Sequence, residues 1–367
     1  MNHPERTVSR QALKSIFAVC ALLAGTGALA QTVAPNVAVP FYTPGTFMDG
    51  VYRYWYGPQS ADFAAQSAAL PASITAYCDA GPGAARTALQ DAREQWKKTA
   101  AAWDRLAGVQ VGPMLLRRSS REIDFSPTRP ELINRAIQKA PADVAAMETV
   151  GTPGKGLPAL EYLLWTKTAP PASAACRYAA VAAAEVAGEG QALATGFGDL
   201  AKRDLAEDEE TSVPGMSELV NQWVGGIERL RWSHMEKPRM SSAQGAGSAG
   251  GYPRSASGQT GAAWAGEWQA LRTLTVSRDH SAPAAGKNVT AIVPLETYLR
   301  GRGLNPLANK LAQSVEKTDK LMQNLSPNNA AGMQQASKSL GELKKLAEGE
   351  IATALNVNIG FSDADGD

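Results

Sequence analysis

The chain has 367 residues, with 36 Lys and Arg against 35 Asp and Glu, and therefore a formal net charge of +1. This balance argues against electrostatic capture of nucleic acid, and only three His and three Cys exclude most metal-rich classes of protein. Alanine provides 65 residues whereas aromatic residues reach 7%, so the composition favours helix over strand and predicts an all-α protein.

The first thirty residues have the features of a secretory signal peptide. Basic residues precede an apolar run over 16–23, and Ala28-Leu29-Ala30, with alanine at its first and third positions, forms a cleavage site. A membrane anchor is the alternative, but the run is shorter than the roughly 20 residues that a spanning helix needs. Lipidation of Cys20 is another alternative, although no small residue directly precedes it. We therefore expect a mature chain in the periplasm or cell envelope.

The mature chain keeps two cysteines, Cys78 and Cys176, and two histidines, His234 and His280. Cleavage removes three basic residues and one acidic residue, which lowers the formal net charge from +1 to −1. In an oxidising compartment the two cysteines are most simply explained by one disulfide. A thiolate catalyst or a metal ligand is the alternative.

Apolar residues at steps of three and four predict helices along most of the first half of the mature chain. The mature chain is longer than a single core usually supports, so we expect an N-terminal bundle over 31–200 and a C-terminal bundle over 201–367. A duplication of one bundle stays open. The helices predicted up to residue 209 span 49–56, 60–80, 83–107, 127–140, 158–165 and 174–209, with an interruption at Gly57-Pro58.

The second half begins with a predicted break at 213–215 and an apolar stripe that runs from Met216 to His234. No acid or second His accompanies His234 at helical spacing, so we interpret it as a hydrogen-bonded core or interface imidazole. Residues 241–261 are rich in Ser, Gly, Ala and Gln, with Arg254 as the one charge, and predict a flexible surface insertion. Four further helices are predicted over 262–276, 290–300, 306–324 and 327–355.

The segment from Gly156 to Trp165 contains the most informative carboxylate. Pro158 fits the first turn of a helix, and Glu161 lies near the positive end of that helix. Leu160, Leu163 and Leu164 predict that the helix is buried. A carboxylate in such a segment needs a partner, for example an arginine, a hydroxyl or a bound cation.

This segment resembles the signature region of the imelysin family, which comprises secreted or envelope-attached bacterial proteins with the motif G-x-H-x-x-E. The stretches Arg-Glu-Ile-Asp-Phe at 121–125 and Gly-Phe-Ser-Asp-Ala-Asp-Gly-Asp at 360–367 resemble its predicted-lipoprotein branch. The resemblance covers nearly the whole mature chain. It implies an all-α fold of two packed helical bundles with a cleft near the motif, and either a role in iron uptake or regulation or metallopeptidase activity.

The chain departs from the family motif at Pro158, which replaces the histidine and offers no lone pair to a metal. A catalytic zinc normally has three protein ligands, so this loss argues against a metallopeptidase. Glu161 is the remaining metal-ligand candidate of the motif. A site for a harder cation stays open, because other carboxylates could join Glu161 without any histidine.

We expect a ligand-binding cleft near this motif. Asp124 either lines the cleft or caps a turn, and Arg121 either neutralises Glu161 or an anionic ligand or is simply solvated. The terminal acids either contribute or form a frayed tail, since their resemblance to an EF-hand loop lacks the downstream Glu. The residues predicted to form the cleft are Arg121, Asp124, Pro158, Glu161, Asp363 and Asp365.

The function predicted from these features is non-catalytic binding in the cleft, of a small ligand, a metal species or an envelope protein. The cofactor, if one is bound, would be a metal cation. Two alternatives stay open: a metallopeptidase with an altered metal site, and an interaction scaffold without a small ligand.

Overall fold

The computed structural model describes residues 38–243, 251–277, 282–286 and 289–360. Within these ranges the chain is all-α, as the composition predicts, with no strand. The expected signal peptide, His280, and the terminal Asp363 and Asp365 lie outside the described residues.

The first group of helices precedes residue 203 and is built around three long helices, α2, α3 and α8. The helix α8 is rich in alanine and glycine, and Gly190 lets it approach Ser67 and Phe63 of α2 so closely that a Cβ at this position would overlap Ser67 Oγ. The helices are α1 (Pro44–Val51), α2 (Gly57–Cys78), α3 (Ala85–Leu106), α4 (Pro113–Leu116), α5 (Ser119–Ile123), α6 (Pro130–Lys139), α7 (Gly156–Glu161) and α8 (Ala174–Lys202).

A disulfide joins the last residue of α2, Cys78, to Cys176 in the first turn of α8, with a Cα–Cα distance of 5.6 Å. Ser173 caps α8 by accepting a hydrogen bond from the Cys176 amide, which fixes the start of the helix at the bridge. The disulfide predicted from the two mature cysteines is therefore confirmed.

The second group of helices packs around α9, α11, α13 and α14. Their apolar faces bury Trp223, Trp264, Leu311 and Leu340, each at most 2% exposed. The helices are α9 (Glu209–Glu228), α10 (Lys237–Ala243), α11 (Thr260–Thr275), α12 (Leu295–Gly301), α13 (Asn305–Met322), α14 (Ala330–Leu346) and α15 (Ala352–Leu355).

The two groups meet where the end of α3 contacts α9 and α11. The backbone carbonyl of Gly108, just after α3, fills the space where Gly226 of α9 would carry a Cβ, and Gly108 itself lies against Ala270 of α11. Larger residues at these glycines would separate the helices. The close approach brings the carboxyl end of α3 to the second group, where the site described below is found.

Two predicted helix breaks are wrong. Helical backbone continues through Gly57-Pro58, because a π-helical turn over Tyr52–Tyr56, closed by the Gly57 N–H donating to the Tyr52 carbonyl, leads directly into α2. Pro214 lies inside α9. Proline has no N–H, so α9 lacks one backbone hydrogen bond at Pro214. The helix tolerates this loss because it buries Leu219, Val220 and Trp223.

Among the helices of the described residues, none combines the length and apolar character needed to cross a bilayer. Only part of the expected flexible insertion over 241–261 lies within the described residues. Residues 244–250 lie outside the described ranges, whereas 251–259 form a turn that leads into α11. Arg254 within this turn is only 3% exposed. We refer to residues 251–259 as the strap.

Candidate functional site

A cavity of about 460 Å³ lies between the motif helix α7, the chain that follows α5, and the strap. Asp124, Pro158 and Glu161, which sequence analysis assigned to the cleft, all line it. The other lining residues are Ser126, Pro127, Thr128, Arg129, Pro130, Glu131, Tyr162, Thr166, Gly251, Tyr252, Pro253, Arg254, Ser255 and Ala256.

Glu161 ends α7 at the point where the chain widens into a π-helical turn over Tyr162–Thr166. Its side chain is buried, at 6% exposed. One carboxylate oxygen, Oε1, accepts hydrogen bonds from the Ser257 amide at 2.8 Å and the Ser257 hydroxyl at 2.7 Å. The other oxygen, Oε2, has no hydrogen-bond partner among the described residues. It remains accessible to solvent. Glu161 therefore presents one free acceptor to the cavity.

The strap is anchored by Arg254, whose guanidinium group pairs with two carboxylates. Its Nη2 donates to Asp104 Oδ1 at 2.8 Å and to Asp124 Oδ2 at 2.7 Å, and its Nη1 donates to Asp124 Oδ1 at 2.8 Å. The Trp103 indole N–H also donates to Asp124 Oδ2, at 3.0 Å. We call Arg254, Asp104 and Asp124 the clamp, because together they hold the strap against α3 and the end of α5.

Two members of the clamp are buried, with side-chain exposures of 2% for Arg254 and 7% for Asp104, whereas Asp124 is 22% exposed. Burial raises the pKa of Asp104 to about 6, with Arg254 opposing the shift and the carboxylates of Asp124 and Glu267 adding to it. Burial disfavours the charge on Arg254, but the two aspartates hold its pKa well above the usual value. One cation thus compensates two adjacent anions.

Arg254 has an unusual backbone conformation, with a φ of 60°, in the left-handed region that non-glycine residues seldom adopt. Its guanidinium carbon lies 5.7 Å from the centre of the Trp96 ring, and its Nε is buried without a hydrogen-bond partner. Strain and an unmet donor both oppose this placement, so the ion pairs with Asp104 and Asp124 must outweigh them.

The start of α7 is fixed by a second set of contacts beneath the cavity. Lys155, 5% exposed, lies 2.6 Å from both Glu122 of α5 and Glu185 of α8. Although burial disfavours its charge, these two carboxylates raise the pKa of Lys155. Gly156 follows with a φ of 74°, and a Cβ there would overlap the carbonyl group of Ile123. Only glycine suits this position, which sets the direction of α7 and therefore of Glu161.

The charged network extends from the clamp towards the contact between α9 and α11. His234 Nδ1 lies 2.9 Å from both oxygens of Glu267. The Arg229 guanidinium donates to the carbonyls of Ala107 and Gly108, and burial lowers its pKa. His234 is therefore a hydrogen-bonded residue between helices, and it does not line the cavity.

The structure brings together three of the predicted cleft residues, Asp124, Pro158 and Glu161. Arg121 is exposed, does not line the cavity, and pairs with no acid in the part of the chain that the structure describes. Arg254 occupies the role expected of Arg121 beside the carboxylates. The predicted contributions of Asp363 and Asp365 lie outside the described residues.

Sequence analysis missed Asp104, Arg254 and Ser257. Two signals were present in the sequence. Arg254 is the one charge in an otherwise uncharged stretch of twenty-one residues, and Asp104 is an acid in the last turn of a helix, where the helix dipole disfavours it. Ser257 carries no such signal, because serines are common throughout its segment.

The donor set of the cavity does not fit a catalytic zinc site. No histidine or cysteine lines the cavity, both oxygens of Asp124 are taken up by Arg254 and Trp103, and Glu161 has one free oxygen. Over residues 38–243, 251–277, 282–286 and 289–360, no three His, Cys, Asp or Glu side chains are grouped so as to hold a metal ion. A zinc site needs three such ligands.

Comparisons with known proteins agree with this fold. The Imelysin family model matches residues 54–354, which is most of the chain. An imelysin-like protein from Psychrobacter arcticum 273-4 aligns with a TM-score of 0.69 and 21% identity, over 89% of this chain and 100% of its own. A putative iron-regulated protein A precursor from Parabacteroides distasonis ATCC 8503 aligns with a TM-score of 0.66 and 12% identity, over 85% and 95%. No curated protein sequence matches significantly.

Proposed function

The chain belongs to the imelysin family, and on this premise we propose that it is a non-catalytic binding protein of the cell envelope. The single observation that carries the proposal is the buried carboxylate of Glu161, which keeps one free oxygen at the cavity. Ser257 holds the other oxygen, so the free one has a defined direction. Because this oxygen reaches the cavity and has no partner inside the protein, a ligand or water in the cavity is left to satisfy it.

The form of the cavity supports binding of a small molecule. Its volume of about 460 Å³ is that of a typical small-ligand site, and rings of proline and tyrosine form much of its wall. Glu161, Asp124 and Pro158 act in this proposal as ligand-binding residues. The clamp then positions the strap that closes one side of the cavity.

The chemistry of the lining favours binding over peptide hydrolysis. A metallopeptidase needs a metal-bound water at an open coordination position, and the ligand set for such a metal does not fit here. Pro158, in place of the motif histidine, supplies no ligand, and His234 is engaged with Glu267. A metallopeptidase with an altered site is the competing function.

Location in the periplasm or cell envelope is part of the proposal. It is supported by the signal-like features of the first thirty residues and by the Cys78–Cys176 disulfide, since such bridges persist in oxidising compartments.

The name of the Parabacteroides distasonis relative supports a link to iron supply. We expect iron limitation to change the transcript level in the source organism, as measured with and without an iron chelator in the medium.

Native mass spectrometry and a protease assay test this function together. We expect the mature chain, isolated from the envelope without chelator, to carry a bound small molecule and to leave casein uncut in the presence of zinc. Ala256→Trp, which places an indole at an exposed position of the cavity wall, should abolish the bound mass without unfolding the protein.

Two results would overturn the proposed function. One is cleavage of casein with a stoichiometric zinc that Glu161→Ala removes. The other is a mass spectrum in which the wild-type protein, like Ala256→Trp, carries no bound molecule. Circular dichroism on both variants confirms that they are folded.

A further inference from the structure

We propose that the ligand of this cavity is an organic cation, bound through a primary ammonium or guanidinium group that donates a hydrogen bond to Glu161 Oε2. This inference rests on the proposed function and names the class of molecule that the site takes. It follows from three properties of the cavity: its free acceptor, its shortage of free charged donors and its charge.

The first property is the orientation of Glu161. Both hydrogen bonds from Ser257, at 2.7 and 2.8 Å, reach the same oxygen, Oε1. The side chain is thereby fixed while Oε2 stays free, and only 6% of the residue is exposed. A carboxylate oxygen without a partner in such a place accepts most strongly from a charged donor, because charge-assisted hydrogen bonds are about twice as strong as neutral ones.

The second property is the shortage of free charged donors in the wall, where serine, threonine and tyrosine supply only neutral hydroxyl groups. Pro127, Pro130, Pro158 and Pro253 line the cavity, and proline has no backbone N–H. Both terminal nitrogens of Arg254 already donate to the clamp aspartates. An anionic group entering the cavity would meet neutral hydroxyls but no unengaged cation in the interior, whereas a ligand that brings its own charged N–H groups would find Glu161.

The third property is an excess of negative charge. Arg254 is shared between Asp104 and Asp124, so the clamp carries one anion more than it has cations, and Glu161 adds another. Further along the network, the charges of Arg229 and Glu267 act on each other and are opposite in sign. Arg129 and Glu131 also line the cavity, but both are exposed, so solvent screens their charges. A cation therefore offsets the interior charge.

A bare metal ion fits these properties less well than an organic cation. Calcium and similar ions take six or more oxygen ligands, and the cavity interior offers one free carboxylate oxygen. An ammonium group needs one strong acceptor and fills its other donors with water, while its carbon chain packs against the proline and tyrosine rings. The cavity of about 460 Å³ has room for such a chain.

The test is isothermal titration calorimetry on the mature chain with four probes of matched length: n-butylammonium, 1,4-diaminobutane, 1,4-butanediol and succinate. We expect saturable binding of both amines and none of the diol or succinate. Glu161→Gln should weaken amine binding at least tenfold, because its amide oxygen still accepts from Ser257 while its NH₂ group replaces the acceptor with a donor.

Glu148→Gln is the matched control, since it removes an exposed carboxylate that does not line the cavity and should change the amine affinity by less than about twofold. Unchanged amine affinity in Glu161→Gln overturns the inference, as does binding of succinate in preference to amines. A folded Glu161→Gln, established from its melting temperature and circular dichroism, separates lost binding from lost structure.

The inference and the proposed function fail in different ways. If neither amine binds but native mass spectrometry still finds a molecule that Ala256→Trp excludes, the ligand class is wrong and the binding function stands. If the wild-type protein carries no bound mass, or if it cleaves casein with stoichiometric zinc, the function itself fails.

Discussion

Arg254 is the residue on which the candidate site depends most. It is 3% exposed, and it alone neutralises Asp104 and Asp124 among the described residues within ion-pair distance. Removing one member of a buried ion cluster costs more than the cluster itself contributes, because the remaining charges stay buried without compensation. The loss of Arg254 would leave two carboxylates facing each other.

We therefore expect Arg254→Met to lower the free energy of unfolding by about 3 to 5 kcal/mol, as measured by urea denaturation. The control is Arg105→Met, which breaks a pair with Asp62 in which both side chains are 29% or more exposed. That variant should lose less than about 1 kcal/mol. Equal losses in the two variants would contradict the role assigned to the clamp.

Asp104 makes the stability of the protein depend on pH in an unusual direction. Its pKa is raised from 3.8 to about 6 by burial, against Arg254, and next to Asp124 and Glu267. The folded state holds the proton more tightly than the unfolded chain does. The stabilisation from this group is thus complete below about pH 4 and is lost as the pH rises through about 6.

The difference in unfolding free energy between the wild-type protein and Asp104→Asn should accordingly fall as the pH rises from about 4 to about 7. Asparagine keeps an oxygen that accepts from Arg254 but does not titrate. The measurement is urea denaturation of both proteins at a series of pH values. Parallel pH profiles would show that Asp104 keeps an ordinary pKa.

At the residue scale, the sequence predicted the acceptors of the site better than their partners. Glu161 could be found because an acid in an apolar segment needs a partner, and Asp124 because the stretch 121–125 resembles the imelysin family. Arg254 and Ser257 lie 130 and 96 residues further along the chain from Asp124 and Glu161, respectively. No local pattern records which distant residue satisfies a buried group.

At the scale of single elements, the motif helix α7 is short and is positioned by what precedes it. Gly156 adopts a positive φ against the Ile123 carbonyl, and Lys155 connects α5 to α8. The six residues of α7 would not form a stable helix alone, since isolated helices need about 12 residues or more. The direction of Glu161 therefore depends on how Lys155 and Gly156 fix the start of α7.

Gly156→Ala should destabilise the protein by at least about 2 kcal/mol, through left-handed backbone strain and overlap with the neighbouring backbone. Gly188→Ala is the control, because Gly188 is exposed in α8 and a Cβ there meets nothing within 4 Å. That variant should be more stable than the wild-type protein by up to about 1 kcal/mol. Thermal and urea unfolding of the two variants give the comparison, and a neutral Gly156→Ala would refute the constraint.

Element boundaries show where local signals fail. The apolar spacing of Trp96 and Trp103 predicted α3 to within two residues at each end. Pro58 and Pro214 suggested breaks that do not occur, because a π-helical turn leads directly into α2 at Pro58 and the well-buried face of α9 tolerates the bond lost at Pro214. Packing in three dimensions, which the sequence window does not contain, decided both positions.

At the scale of the whole molecule, the all-α class follows from composition and periodicity. Alanine is abundant and β-branched runs are short, so the composition favours helices for the hydrogen bonding of the backbone. The arrangement of those helices was expected from the family resemblance. It depends on contacts such as Gly108 against Gly226, which periodicity alone does not specify.

The disulfide should contribute to global stability mainly through the unfolded state. Cys78 and Cys176 are 98 residues apart, and a loop of this size is worth about 4 to 5 kcal/mol in the chain-entropy model. We expect the double variant Cys78→Ala/Cys176→Ala to lose about this much in urea denaturation while keeping the helical circular dichroism of the oxidised protein. A loss below about 1 kcal/mol would show that packing of α2 on α8 suffices.

The origin of the strap in the second half of the chain has a consequence for biogenesis. A ribosome completes Asp104 and Glu161 long before it reaches Arg254 and Ser257, which follow them by 150 and 96 residues. A nascent or truncated product therefore exposes these acids to solvent with no clamp and no cavity wall. On the proposed function, ligand capture would require the strap, so copies truncated before residue 251 would not compete with intact ones for the same molecule.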